Sequence, residues 1–162
     1  MRKELIGLDH LMISTPDLPA IRACYQRLGF SVTPMRTNEP MGGGRTGGRG
    51  GNHLVLFRPT DDRMTNFLEF AYADPAHAVP YMRDLLGRRP ALAMIVHAAT
   101  DLRALDAGWQ AAGFPPCMYY ELDTDYRDPE DGTVDRIHFR VLVPVAPRGP
   151  HRAADPQPGC HR

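Results

Sequence analysis

Seven histidines, three cysteines, six tyrosines and a glycine-rich run carrying arginines are the residues of this chain whose chemistry could bind or transform a ligand. Imidazoles serve as metal ligands and as proton carriers near neutral pH. Cys24, Cys117 and Cys160 are odd in number, widely spaced and in no zinc-type pattern, so they read as unpaired thiols. Cys24 falls in a helical segment, where a small core residue is expected. The run from Met41 to Gly51, MGGGRTGGRGG, has the composition of a phosphate cradle. Phosphate loops of that kind pass directly from a strand to a helix, whereas a strand follows this one, which makes it a flexible hairpin or a cavity lid. Tyr119 and Tyr120 are candidate substrate contacts, either of which could donate its hydroxyl to a bound oxyanion. Adjacent residues of a strand face opposite sides, so only one can line a cavity. His77, His151 and His161 lie in loops or the tail and read as hydrogen-bonded surface groups.

Composition narrows the partners. Nineteen basic residues balance nineteen acidic ones, which leaves no general attraction for nucleic acid. The longest apolar runs, such as Ala91 to Val96, are far shorter than the roughly 20 residues needed to span a bilayer. The start, MRKELIGLDH, lacks the apolar stretch and cleavage site of a signal peptide. A soluble protein, cytoplasmic by default, is expected.

The elements that would position such groups come in two copies. Asp17-Leu18, Ile21, Tyr25 and Gly29-Phe30 align without a gap, 84 positions later, with Asp101-Leu102, Leu105, Trp109 and Gly113-Phe114. Each aspartate can cap a helix N-terminus. Leu18, Ile21, Tyr25 and Leu28 fall within an arc of about 80 degrees on a helix, a single buried stripe. Trp109 lies on the equivalent stripe and is a core residue. Gly29 and Gly113 supply left-handed C-terminal turns, after which Phe30 and Phe114 should re-enter the core.

An apolar strand precedes each helix, Leu8 to Ser14 in the first copy and Leu92 to Ala98 in the second. Strands then follow at Phe30 to Pro34, His53 to Phe57 and Asn66 to Ala71, and a short helix at Val79 to Gly87. In the second half the strands are Cys117 to Leu122 and Asp135 to Pro144. Beyond Val145 repeated proline forbids a central strand, so the last of eight strands is missing and the tail is disordered. The expected organisation is a first βαβββ module at 1–75, a helical connector at 76–90, a second, incomplete module at 91–145 and a Pro/Arg-rich tail at 146–162. The two modules form one α+β structural domain.

The repeat, the strand-helix-three-strand order, the run GLDHLMISTPDL at residues 7–18, Leu28-Gly29-Phe30 and Phe67-Leu68-Glu69-Phe70 together resemble the glyoxalase-like branch of the vicinal oxygen chelate superfamily. The resemblance covers roughly residues 5–144. It implies two modules forming a curved mixed sheet around a cavity, with a divalent metal held by side chains of the first and last strands of each module. His10 matches the first-strand ligand and Glu69 the fourth-strand ligand. His53 would be a third ligand or a substrate contact, and His138 occupies a similar place in the second half.

Imidazole and carboxylate suit zinc, iron, nickel or manganese and leave coordination positions open. Glu69 could instead act as a catalytic general base. In the second half the pattern thins. His10 carried forward by 84 lands on Met94, His97 corresponds to Ile13 and would face the other way, and Glu69 lands on Ala153 in the tail. The implied function is a metal-dependent lyase, isomerase or dioxygenase acting on a small oxygenated substrate. The alternative is a metal-free binding protein of the bleomycin-resistance type, for which a homodimer would cover the open strand edge.

Overall fold

Short apolar segments alternate with capped helices, and the computed structural model describes residues 5–44, 48–57, 66–86, 90–128 and 130–144. In chain order the elements are β1 (Leu5–Ser14), α1 (Leu18–Arg27), β2 (Arg36–Thr37), β3 (Gly51–Leu56), β4 (Phe67–Tyr72), α2 (Pro80–Leu86), β5 (Ala91–Ala99), α3 (Leu102–Ala111), β6 (Met118–Arg127) and β7 (Val134–Val143). The strands form one curled, half-barrel sheet in the order β5-β1-β4-β3-β2-β6-β7. The proposed missing strand and the tail lie outside the described residues. Among those described, no helix is long and apolar enough to cross a membrane.

The repeat is visible in the backbone. The Asp17 carboxylate accepts from the Ala20 N–H at 2.9 Å, and Asp101 from Ala104 at the same distance. Both helices end at a glycine with positive φ, 87° at Gly29 and 89° at Gly113, a conformation that side chains disfavour. The buried stripe stops short of its expected length, because Leu28 is 66% exposed. Phe114 is exposed too, and Phe30 packs at the surface against Tyr25 and Phe57 rather than re-entering the core. Cys24 is exposed, not a core residue, and Trp109 is only half-buried.

Alternation along the strands divides the sheet into two faces. On the outer face α1 packs Leu18 onto Val55 and Phe70, with Ile21 and Tyr25 alongside. On the inner face Met12, Ala71 and Ala73 pack with Met41, Ala78 and Leu86, so α2 covers part of that face. A hydrogen bond from the Ser14 hydroxyl to the Leu86 carbonyl, 2.6 Å, fastens the end of α2 to β1.

Two segments depart from the sequence reading. Phe30 to Pro34 forms an isolated bridge, Val32 with Val55, and the paired strand comes later at Arg36 and Thr37; Pro34 has no N–H to give a ladder. The described parts of the glycine run, 41–44 and 48–51, are packed against each other rather than loose. A Cβ on Gly43, Gly48 or Gly50 would lie 1.6 Å from the carbonyl oxygen of Gly50, Gly42 or Met41 respectively. Its glycines let segments 41–44 and 48–51 touch backbone to backbone. Asp74 pins the second of these through the Arg49 N–H, 3.2 Å from its carboxylate.

Candidate functional site

β1 and β4 are adjacent and parallel, with Met12 beside Glu69 and His10 beside Phe67. That register places His10 and Glu69 on the inner face, with their side chains 14% and 7% exposed. His10 Nε2 lies 3.4 Å from Glu69 Oε2. The imidazole stacks on Phe67, with ring centroids 4.4 Å apart. Its Nδ1 lies 2.5 Å from Asp9 Oδ1. A carboxylate only accepts, so Nδ1 carries the proton and Nε2 is the nitrogen presented to Glu69. The other Glu69 oxygen, Oε1, accepts from Asn52 Nδ2 at 2.7 Å.

This arrangement calls for a cation between the two groups. With Nδ1–H committed to Asp9, a neutral imidazole would point a lone pair at a carboxylate. Burial opposes charging His10, but the hydrogen bonds and charges of Glu69 and Asp9 outweigh it and raise its pKa above the ordinary 6.5. A proton therefore satisfies the pair, and so would a metal ion. Two donors of one tetrahedral ion, each at about 2.0–2.2 Å, stand about 3.4 Å apart, which is the spacing seen here. The Asp9–His10 and Asn52–Glu69 bonds are of the kind that orient metal ligands. His10 and Glu69 thus fit as two ligands of a small divalent ion. Among the described residues no third His, Cys, Asp or Glu completes a cluster.

The remaining sequence candidates lie elsewhere. His53 sits opposite Phe70, and Leu54 opposite Glu69, so His53 faces outward. It is 2% exposed, with Nδ1 2.9 Å from the Thr33 carbonyl. Burial pushes its pKa below 6.5, against the pull of the Thr33 bond, and nearby Arg22 adds to the lowering. This geometry removes it from a ligand set with Glu69. His138 meets Asp123 at 2.9 Å on the outer face. Met94 stands opposite Met12 and Val96 opposite His10. A bulge does occur between Leu8 and His10, yet His97 pairs with Leu8 and is exposed.

Of the tyrosine pair, Tyr119 faces outward, donating to Glu121 at 2.5 Å beneath the Arg103 guanidinium. Tyr120 faces inward, its hydroxyl 3.1 Å from Met118 Sδ.

Two inner-face groups were missed by sequence reasoning. Asn52 is one residue before His53, on the opposite face. Tyr126 lies on the same side of β6 as Tyr120, and burial together with the Glu69 charge pushes its phenol well above the ordinary 10.0. The Asn38 side chain hydrogen-bonds it, while Asn38 Oδ1 accepts from the Met41 N–H at 2.8 Å. Alternation alone does not say which parity faces inward, and the pairing of β3 with β4 and of β6 with β2 is what assigns both.

Residues 8–158 match the family model of the glyoxalase-like domain. The chain belongs to that family. The glyoxalase-like chain is thereby a member of the vicinal oxygen chelate superfamily. Among solved structures it is similar to a methylmalonyl-CoA epimerase in complex with methylmalonyl-CoA and ammonium, at 20% identity and TM-score 0.55, over 83% of this chain and 94% of that one. Variants of the Streptomyces coelicolor methylmalonyl-CoA epimerase in complex with 2-nitronate-propionyl-CoA match at the same identity and TM-score. One covers 83% of this chain and 96% of its own, another 88% and 99%. At this identity the likeness speaks for the fold. No curated protein matches this glyoxalase-like chain.

Proposed function

We propose that the chain is a divalent-metal-dependent enzyme acting on a small oxygenated substrate at the inner face, in a cytoplasmic setting. The observation that carries this is the His10–Glu69 pair, 3.4 Å apart, nearly buried and oriented on both sides by Asp9 and Asn52. His10 and Glu69 would hold the metal, which when bound supplies Lewis-acid polarisation of neighbouring substrate oxygens. Asp9 fixes the His10 tautomer, and Asn52 keeps Glu69 from rotating. Phe67 stacks on His10 and Met12 stands beside Glu69, so apolar groups flank the pair. Tyr126, held neutral as a phenol, is a hydrogen-bonding group within the field of Glu69. Tyr120, on the same strand face, would contact the substrate further along. Bound acyl-CoA compounds in the similar structures support a substrate bearing a carbonyl next to a reactive carbon, for which isomerase or lyase chemistry suits better than dioxygenation.

The test is calorimetric titration of nickel, zinc or manganese into chelator-treated protein. The wild type should bind one ion, with Glu69→Gln weakening affinity by at least about tenfold. Equal binding by wild type and Glu69→Gln would end the proposal.

Met94 opposite Met12, where a second-module ligand would stand, favours a second reading, a metal-free ligand-binding protein working as a dimer. Under that reading none of these ions binds the wild type, and the chain elutes as a dimer at micromolar concentration.

A further inference from the structure

A cavity separate from the His10–Glu69 pair opens on the outer face. Its volume is about 540 Å³, within the roughly 300–1,000 Å³ of small-molecule sites. The local register shows which strands form its floor. Tyr72 pairs with Gly51, Gly51 with Thr37 and Thr37 with Arg127, so these four residues make one row across β4, β3, β2 and β6. Tyr72, Thr37 and Arg127 of that row line the cavity. Leu18 and Pro19 of the first turn of α1 roof it, with Met35 beside them.

This lining is mostly apolar, and its charged members are Arg49 and Arg127. Asp74 holds the Arg49 backbone in place. The Arg127 guanidinium donates to the Gly132 carbonyl at 3.4 Å, a neutral partner that leaves its charge available. The neighbouring carboxylates Asp128 and Asp135 are engaged by Arg36, at 3.6 and 3.2 Å. A mostly apolar lining that includes two arginines matches a ligand with an apolar body and an anionic head, since arginine pairs with carboxylate and phosphate oxygens.

We infer that this outer-face cavity is a second binding site, for a small amphipathic anion such as a medium-chain carboxylate or alkyl phosphate. It draws on none of the residues of the inner-face pair. The probes are octanoate, octyl phosphate and octanol, followed by amide shifts in a ¹⁵N-labelled full-length chain. At least one of the two anions should bind more tightly than octanol and shift the amides of Thr37, Gly48 and Arg127. The Arg49→Gln/Arg127→Gln double variant should weaken that binding at least about tenfold, while His10→Ala leaves it unchanged. Should the double variant not fold, the map of shifts and the preference for anion over octanol decide the matter alone. Shifts centred on His10 and Asn52, equal binding of octanol, or no binding by either anion at millimolar concentration would overturn the inference.

Discussion

Asn52 and His53 are neighbours in sequence with opposite assignments, and the parity of β3 against β4 decides between them. Leu54 faces Glu69 across the ladder, so the even positions of β3 look inward and His53 outward. The sequence shows His53 as the group with chemistry, but only the pairing register reveals that Asn52 is the residue touching Glu69. Replacing Asn52 by Leu strands a buried carboxylate oxygen. We expect it to weaken divalent-metal binding by about 10- to 100-fold, with little change in the circular dichroism spectrum.

His53 makes a distinct prediction. Its folded pKa is depressed, so the unfolded chain binds the proton more readily. The stability this histidine contributes is fully present above its ordinary pKa of 6.5 and declines as pH falls below that value toward the folded pKa. Denaturant melts between pH 7.5 and 5 should show this loss, and His53→Gln should reduce the slope by up to about one proton. An unchanged slope would mean that His53 is not held neutral.

At the scale of elements, the helices were the most legible features, because capping and termination are written in single residues. Asp17, Asp101, Gly29 and Gly113 do what their types and spacing imply. Asp101→Ala should cost about 1 kcal/mol by denaturant midpoint. Strand extents were harder to read. β6 continues to Arg127, past the expected Leu122, because its charged residues Glu121, Asp123 and Asp125 face outward while its inner positions carry the uncharged Tyr120, Leu122, Thr124 and Tyr126. Tyr126 was lost to the candidate list for that reason.

The glycine run shows the limit of composition as a guide. Glycine content alone suggests flexibility, yet the described glycines are there because no Cβ fits. Gly50→Ala should destabilise by more than about 2 kcal/mol, since overpacking against backbone typically costs 1–3 or more. Gly132→Ala has open space around its Cβ and only its φ of 76° to strain, so about 1 kcal/mol is expected. Similar losses at both positions would contradict the close-packed reading.

In the molecule as a whole, the expected α+β architecture around a curled sheet is what the chain adopts, and the resemblance carried it further than periodicity could. Long-range order of the strands is not a local property: the resemblance implied a curved sheet with His10 and Glu69 on the first and fourth strands, while the β1–β4 and β1–β5 pairings are read from the structure. The described sheet is also uneven. β1 is flanked by β4 and β5, whereas β6 and β7 join the remainder through one residue pair, Thr37 with Arg127. Amides of the β6–β7 hairpin should therefore exchange with solvent well before those of β1 and β4, which open only in global unfolding. Uniform protection across all seven strands would show that packing onto α3 compensates for the thin join.

The most direct test of the central claim is the metal content of the full-length chain purified without chelator, measured beside that of His10→Ala. The His10–Glu69 pair predicts about one divalent ion per chain in the wild type, falling to a small fraction in the variant. A wild type without metal, or a His10→Ala variant that retains it, would contradict the assignment of this pair as the functional centre.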